Sequence, residues 1–299
     1  MKVQSTPMTK KSLLNFLPRI FWLIASLLLT GCGKIDQLLY KPKIWPEEWL
    51  HIQPYVQLEF GGRALIIVQP STSAIVYLLG IITLLAGVYF LRVQEGQRSR
   101  LWWGVALLLW GVGALLAGTS YEAFSYQIKC AGRGLCVWTS WWEIGYLFVS
   151  AASVNAMLAA QAYACADGKW RRLMLIYAAA NQALYTAALV VGSLQPRQFL
   201  ISFELLLVFA APSVVLFLIQ NGWRWRSHHL KMDLALLGVW VWLALTIGAY
   251  FLYYISGLTA RLWSQGLWFS ENDVLHIGLI IWMLFIARIA RLIRDEAAQ

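Results

Sequence analysis

The sequence SAIVYLLGIITLLAGVYFLR, residues 73–92, contains no charged residue before its last position. About 20 residues of helix span roughly 30 Å, which is the thickness of the hydrocarbon core of a bilayer. The sequence therefore predicts an all-α membrane protein, a bundle of seven transmembrane helices over residues 73–294. The six further apolar segments lie at about 101–119, 138–164, 171–193, 199–220, 232–256 and 268–292.

The overall composition agrees with a membrane protein. Of the 299 residues, 60% are hydrophobic and 13% are charged, which is more apolar surface than a soluble domain of this length could bury. The net charge of +10 does not indicate a nucleic-acid partner, because the basic residues lie in short loops between apolar segments. The expected partners are the lipid bilayer and a lipid or small-molecule ligand, with no nucleic acid.

The loops differ in charge between the two sides of the predicted bundle. Alternate loops carry twelve basic residues, whereas the opposite loops carry four. Because cytoplasmic loops are enriched in Lys and Arg, the first helix is predicted to start outside, and the tail at 295–299 is predicted to be cytoplasmic. The twelve are Arg92, Arg98, Arg100, Lys169, Arg171, Arg172, Arg224, Arg226, Lys231, Arg288, Arg291 and Arg294; the four are Lys129, Arg133, Arg197 and Arg261.

The N-terminal residues resemble a bacterial export signal. Basic residues precede an apolar run from Ile20 to Thr30, which is too short for a full membrane span. The run ends in Leu29-Thr30-Gly31-Cys32, which resembles the cleavage box of bacterial lipoproteins. Residues 1–31 are therefore predicted to be a lipoprotein-type signal peptide, with Cys32 as the lipidated residue, and the protein is placed in the bacterial inner membrane. An uncleaved extra helix with an incidental cysteine is the alternative.

Residues 32–72 are predicted to form a small external cap. Pro46 stands where a first helical turn would begin, and Gly61-Gly62 separates two short β-type runs, as in a hairpin. In the loop between the second and third apolar segments, Cys130 and Cys136 are six residues apart. We expect a disulfide there, because the loop is predicted to face an oxidising compartment; two free thiols are the alternative.

Ionisable residues cluster at the predicted outer ends of the helices. Ser120 and Glu122 close the second helix, and Glu143 lies near the start of the third. Such residues are costly at membrane depth and usually mark a site. Glu204 begins the fifth helix and Asn272, Asp273 and His276 open the seventh, where spacings of three and four residues place them on one face.

Carboxylates with one imidazole suit a divalent metal, zinc or calcium. The predicted metal ligands are His276, Glu143, Glu122 and Glu204. The same groups would equally suit proton handling, or hydrogen bonds that hold the helices together. Asp273 could also serve the start of its helix, where a negative charge complements the helix dipole.

The same placement resembles the alkaline ceramidase and adiponectin/progestin receptor superfamily of seven-helix membrane proteins. In that superfamily, Ser-x-x-x-His ends helix 2, an acid begins helix 3 and His-x-x-x-His opens helix 7, around a zinc ion. Ser120, Glu143 and His276 match three of these positions, whereas Phe124 and Asn272 replace two expected histidines. The resemblance implies a seven-helix fold and a metal-assisted hydrolase, while the two replacements remove imidazoles that zinc favours.

These observations predict a metal-assisted, ceramidase-like membrane hydrolase that acts on a lipid or amide from the outer leaflet. The metal would polarise a carbonyl and activate water. Ser120 and Asp273 would be the catalytic residues, with Ser120 orienting the water or stabilising the oxyanion. The alternative is a non-enzymatic receptor or assembly factor with an external polar pocket for a ligand or ion. A transporter is a weaker third hypothesis, because the acids lie in one leaflet only.

Overall fold

The computed structural model describes residues 34–61 and 63–296. The predicted signal peptide and the predicted lipidation of Cys32 lie outside the described residues. In chain order the elements are α1 (Pro46–His51), β1 (Tyr55–Phe60), β2 (Arg63–Val68), α2 (Pro70–Arg92), α3 (Arg98–Ala117), α4 (Ser125–Lys129), α5 (Trp141–Cys165), α6 (Gly168–Leu194), α7 (Phe203–His228), α8 (Lys231–Ile255), α9 (Leu258–Ser264) and α10 (Glu271–Ile289).

Seven helices in the described part of the chain are long and apolar enough to cross a membrane: α2, α3, α5, α6, α7, α8 and α10. This confirms the predicted number of long apolar helices. In the most apolar windows of α7 and α8, only 22% and 28% of the residues are buried within the protein. Helices that are apolar on their exposed faces as well as their buried ones are typical of a bundle surrounded by lipid.

Glycine brings α2 and α3 into close contact. A Cβ atom at Gly87 would lie 2.9 Å from the backbone nitrogen of Leu108, and one at Gly111 would lie 3.0 Å from the carbonyl oxygen of Gly80. A larger residue at either position would push the two helix backbones apart. Small residues at helix crossings are a common means of association in membranes, where burial of apolar surface supplies little driving force.

The helix α3 ends in a wider turn than an α-helix allows. Residues Gly118–Ala123 form a π-helical turn, closed by a hydrogen bond of 3.0 Å from the Phe124 amide to the Thr119 carbonyl. The wider turn changes which side chains face the protein interior. Both Ser120 and Glu122 are buried in it. Turns of this kind are rare and frequently occur at functional sites.

A small cap covers the end of the bundle where α2 begins. It contains α1, β1, β2 and α4, and we call this end of the bundle the cap end. The strands pair antiparallel with Phe60 opposite Arg63, which confirms the predicted hairpin. Helix α1 begins at Pro46, where the missing amide hydrogen is not needed. The predicted disulfide between Cys130 and Cys136 is also confirmed, and Trp49 packs against it.

At the opposite end, the C-terminal segment secures the start of α3. The Asp295 carboxylate accepts hydrogen bonds from the backbone amides of Arg98 (2.9 Å) and Ser99 (2.7 Å). The Arg100 guanidinium in turn donates to the carbonyls of Ile293 and Arg291, at 2.7 and 2.9 Å. A helix start leaves its first amides without intrahelical acceptors, so Asp295 supplies a cap from a distant part of the sequence.

Candidate functional site

A buried ion pair joins the cap to the bundle. Lys129, the last residue of α4, forms a salt bridge with Glu143 in the first turn of α5, and both side chains are 3% exposed. The ammonium also donates to the Tyr40 hydroxyl at 3.2 Å and lies 4.9 Å from the centre of the Tyr121 ring. Aromatic faces attract cations, so Lys129 is held by opposite charge and by ring electrostatics together.

The surroundings of Lys129 stabilise its charged form. Burial lowers the pKa of the Lys129 ammonium, but the Glu143 charge and the hydrogen bonds from Lys129 outweigh this effect, so the pKa lies above its usual value. Burial also raises the pKa of the neighbouring Tyr40 phenol, despite the nearby ammonium. Glu143 therefore already has a cationic partner within the protein, and its charge is not available to a metal without breaking that pair.

A second pair of buried acids, Glu122 and Asp273, has a different environment. Glu122 is 5% exposed and Asp273 is 0% exposed. The salt bridges within 34–61 and 63–296 include neither residue. Glu122 Oε2 and Asp273 Oδ1 also lack hydrogen-bond partners among these residues. Neither carboxyl group therefore has a cationic partner among the described residues.

The other carboxylate oxygen of Asp273 serves the start of α10. Asp273 Oδ2 accepts hydrogen bonds from the Ser270 amide at 2.6 Å and from the Ser270 hydroxyl at 3.1 Å. The Ser270 hydroxyl lies 3.3 Å from that of Thr72 at the start of α2. These contacts form a capping arrangement that fixes α10 beside α2. Of the two functions considered for Asp273, the helix-start function is therefore present in the structure.

His276 faces a cavity inside the bundle. The cavity has a volume of about 250 Å³ and lies between α2, α3, α5, α7, α8 and α10. Its polar lining includes His276, Tyr146 and Ser150. Tyr146 and Ser150 are four residues apart and lie on one face of α5. His276 Nδ1 has no hydrogen-bond partner among the described residues.

The deeper walls of the cavity are aromatic. Trp110, Trp240, Trp282 and Phe217 line it. Phe217 stacks on Trp240 with 4.3 Å between ring centres, and Trp110 meets Trp282 edge to face at 5.3 Å. Apolar walls with a few polar groups at one end are typical of sites for small hydrophobic or amphipathic molecules.

The cavity reaches the outer surface of the bundle beside α7 and α8. Its lining includes Phe203 and Leu207 of α7, each 46% exposed, and Ile247 of α8, which is 39% exposed. These residues therefore contact both the cavity and the outside of the helical bundle. A ligand could enter between the two helices without passing through the cap.

The predicted metal ligands do not come together. Among residues 34–61 and 63–296, no three His, Cys, Asp or Glu side chains are grouped so that they could hold a metal ion. Glu143 is paired with Lys129. Glu204 is exposed in the first turn of α7 and is absent from the cavity lining. The residues present therefore do not fit the zinc or calcium site that the sequence predicts.

Ser120, the other predicted catalytic residue, lies inside the π-helical turn. Its hydroxyl donates to the Leu116 carbonyl of its own helix at 2.9 Å, and its side chain is buried. A serine bonded in this way satisfies its donor locally, as is common in membrane helices. Of the predicted site residues, the structure places His276 in the cavity wall and Glu122 with Asp273 near its cap end.

Sequence reasoning missed Lys129, Tyr146 and Ser150. Lys129 was counted only as a loop charge, although it directly precedes a disulfide cysteine that fixes the loop to the bundle. Tyr146 and Ser150 are four residues apart and therefore on one face of α5. Two polar residues with this spacing in an apolar helix were a usable signal for a polar interior face.

Comparison with known proteins adds a family. Residues 71–295 match the model of a family described as a family of unknown function, DUF6962. The chain belongs to this family. The match begins at the start of α2 and ends just after α10, so the family corresponds to the seven-helix bundle. No curated protein and no solved structure matches the chain.

Proposed function

We propose that this protein is a membrane receptor or carrier that binds a hydrophobic or amphipathic small molecule inside its helical bundle. The observation that carries the proposal is the cavity of about 250 Å³, which six helices line with apolar side chains and with His276 at one end. The volume lies just below the range of about 300–1,000 Å³ that is typical of ligand sites, which suits a small ligand. The proposal follows the receptor alternative rather than the hydrolase, because the metal ligands are not assembled within the described residues.

In the proposed orientation, the cap end faces the exterior or periplasm, and the protein lies in the bacterial inner membrane. The excess of basic residues in the loops of the opposite end supports this orientation. The Cys130–Cys136 disulfide at the cap end supports it independently, since disulfides persist in oxidising compartments. The polar end of the cavity would then lie in the outer leaflet.

The orientation can be tested with two introduced cysteines. Gln265 and Glu95 are exposed residues in loops at the two ends of the bundle. In intact cells, a membrane-impermeant thiol reagent should label Q265C above the wild-type background and should leave E95C unlabelled until the membrane is broken. Labelling of E95C alone would reverse the proposed orientation.

Ligand binding can be tested by filling the cavity. Ala114 lines it and is 8% exposed, whereas Ala244 lies on the exposed face of α8 outside the lining. We expect wild-type protein in nanodiscs to bind long-chain amphiphiles in native mass spectrometry. A114L should lose most of this binding, and the matched control A244L should retain it. Equal binding by A114L and wild type, or no binding by the wild type, would contradict the proposed function.

The hydrolase stays a prediction with a separate test. If the chain were a metal-assisted hydrolase, zinc or calcium added to the purified protein would produce ester or amide hydrolysis that H276A abolishes. A ligand-binding protein without catalytic function would bind amphiphiles with no such turnover.

A further inference from the structure

Three polar atoms near one end of the cavity lack hydrogen-bond partners in the described part of the chain. They are Glu122 Oε2, Asp273 Oδ1 and His276 Nδ1, and all three are inaccessible to solvent. Nearly all buried polar atoms in folded proteins are paired with protein or with an ordered partner. Three such atoms in one region indicate a partner outside the described residues; the two carboxylate oxygens would accept hydrogen bonds, and so would His276 Nδ1 in the tautomer that protonates Nε2.

Several contacts place these atoms around the same end of the cavity. Gly118, one turn before Glu122, lies against Val76 of the cavity wall. Thr72, one turn before Val76, contacts the Ser270 hydroxyl that donates to Asp273. Tyr146 and His276 line the cavity together. Asp273 and His276 are three residues apart on α10, so they share a face of that helix. The two acids thus lie just beyond the polar end of the cavity, on the side of the cap.

We propose that the ligand of this cavity is a single-chain amphiphile with a primary ammonium head group, and that the ammonium lies between Glu122, Asp273 and His276. An alkylammonium group has three N–H donors, which can serve the two carboxylate oxygens and the His276 imidazole in the tautomer that leaves Nδ1 unprotonated. The inference rests on the proposed function, because the apolar chain of the amphiphile would occupy the same cavity.

Charge favours an ammonium over other head groups. Two buried carboxyl groups without a cation favour retaining a proton, and an ammonium between them would stabilise their ionised form. Among the described lining residues there is no Lys or Arg, so the cavity offers no permanent positive charge to a carboxylate or phosphate head group. A neutral hydroxyl would donate one hydrogen bond and would leave the charge of the acids unmatched.

The volume limits the length of the chain. A methylene group is about as large as a water molecule, which occupies about 30 Å³ in the liquid. The cavity of about 250 Å³ therefore holds roughly eight methylene groups. A chain of about ten carbons would fill it and extend toward the acids. A diacyl lipid would have to leave one chain outside, beside α7 and α8.

The experiment compares three ligands of equal chain length: decylamine, decanol and decanoate. Each is titrated into the full-length protein in nanodiscs of neutral phosphatidylcholine, and bound ligand is counted by native mass spectrometry. The variants are E122Q, D273N and the control E204Q, which changes an exposed acid at the same end of the bundle. Affinity ratios between variant and wild type cancel the partition of each ligand into the lipid. Thermal unfolding of each variant confirms that it is folded.

We expect E122Q and D273N each to bind decylamine roughly 10- to 100-fold more weakly than wild type does, which is the effect of a charged hydrogen bond on affinity. Both variants should bind decanol about as well as wild type does, and E204Q should change neither affinity. If all three ligands bind equally well and A114L abolishes the binding, the proposed preference for an ammonium head group is wrong, while the proposed function of ligand binding in the cavity stands. If none of the three ligands binds to wild type, the proposed function is refuted, and the inference about the head group is refuted with it.

Discussion

The buried pair of Lys129 and Glu143 allows a quantitative test of how the cap is attached. Substitution of Lys129 by Met removes the cation and leaves the Glu143 carboxylate buried without its partner. Substitution of Glu143 by Gln leaves the ammonium in the same position. Both side chains are 3% exposed in the native state, so water cannot replace the lost partner without opening the structure.

The loss of one partner of a buried ion pair typically costs about 3–5 kcal/mol, because the remaining charge is uncompensated. At about 2–4 °C for each kcal/mol, each single variant should unfold roughly 6–20 °C below wild type. The double variant K129M/E143Q removes both charges. We expect it to be more stable than the sum of the single losses predicts, by about 2 kcal/mol or more.

The assay is thermal unfolding in one detergent, followed by circular dichroism and by the fluorescence of tryptophans such as Trp49, which packs near Lys129. Tyr40→Phe serves as a milder control, since it removes one hydrogen bond and keeps the ring that faces the ammonium. Additive losses in K129M and E143Q, or single losses below about 1 kcal/mol, would refute the conclusion that this pair secures the cap.

Three more predictions concern stability. The pKa of Lys129 in the folded protein lies above its ordinary value of 10.5. The charged ammonium therefore stabilises the fold fully below pH 10.5, and this stabilisation is lost as the pH rises through the pKa of the folded protein. The melting temperature should stay constant up to about pH 10 and then fall. D295A removes the acceptor for the first amides of α3 and should lower the free energy of unfolding by about 1 kcal/mol. The control D167A removes an acid at the start of α6 that makes no capping hydrogen bond. It should lower the free energy of unfolding by less than half as much in the same melting assay. G87A should lower the melting temperature because its Cβ would meet the backbone of α3, while G248A, with no atom within 4 Å, should leave it unchanged or higher.

The sequence was sufficient for the seven helices, because a span of the bilayer requires a long run of apolar residues and each run is visible on its own. The hairpin and the disulfide were predictable for a similar reason. In both cases the decisive residues, Gly61-Gly62 and the two cysteines, are close together in the chain. Local signals of this kind need no knowledge of how the helices pack.

The site was harder to predict, because depth in the membrane can be estimated from sequence while rotation about the helix axis cannot. Glu143 and His276 were correctly expected near the same end of the bundle. However, Glu143 faces Lys129, whereas His276 faces the cavity. The directions of these two side chains depend on interhelical contacts, and that of Glu122 depends also on the π-helical turn at Gly118–Ala123. Neither has a clear sequence signal here.

The buried acids at the cap end therefore belong to two groups with opposite effects on the stability of the ligand-free protein. Glu143 has an internal cation, so its conversion to Gln should destabilise the protein whether or not a ligand is present. Glu122 and Asp273 are both buried at the cap end without a described cation, so ionisation of both costs stability until a ligand or proton compensates it. Consequently the ligand-free E122Q variant should melt at a higher temperature than ligand-free wild type. Addition of decylamine should raise the melting temperature of wild type but not that of E122Q. If E122Q instead melts below wild type, as E143Q is expected to do, then Glu122 is a structural residue. In that case Glu122 and Asp273 do not form a ligand site.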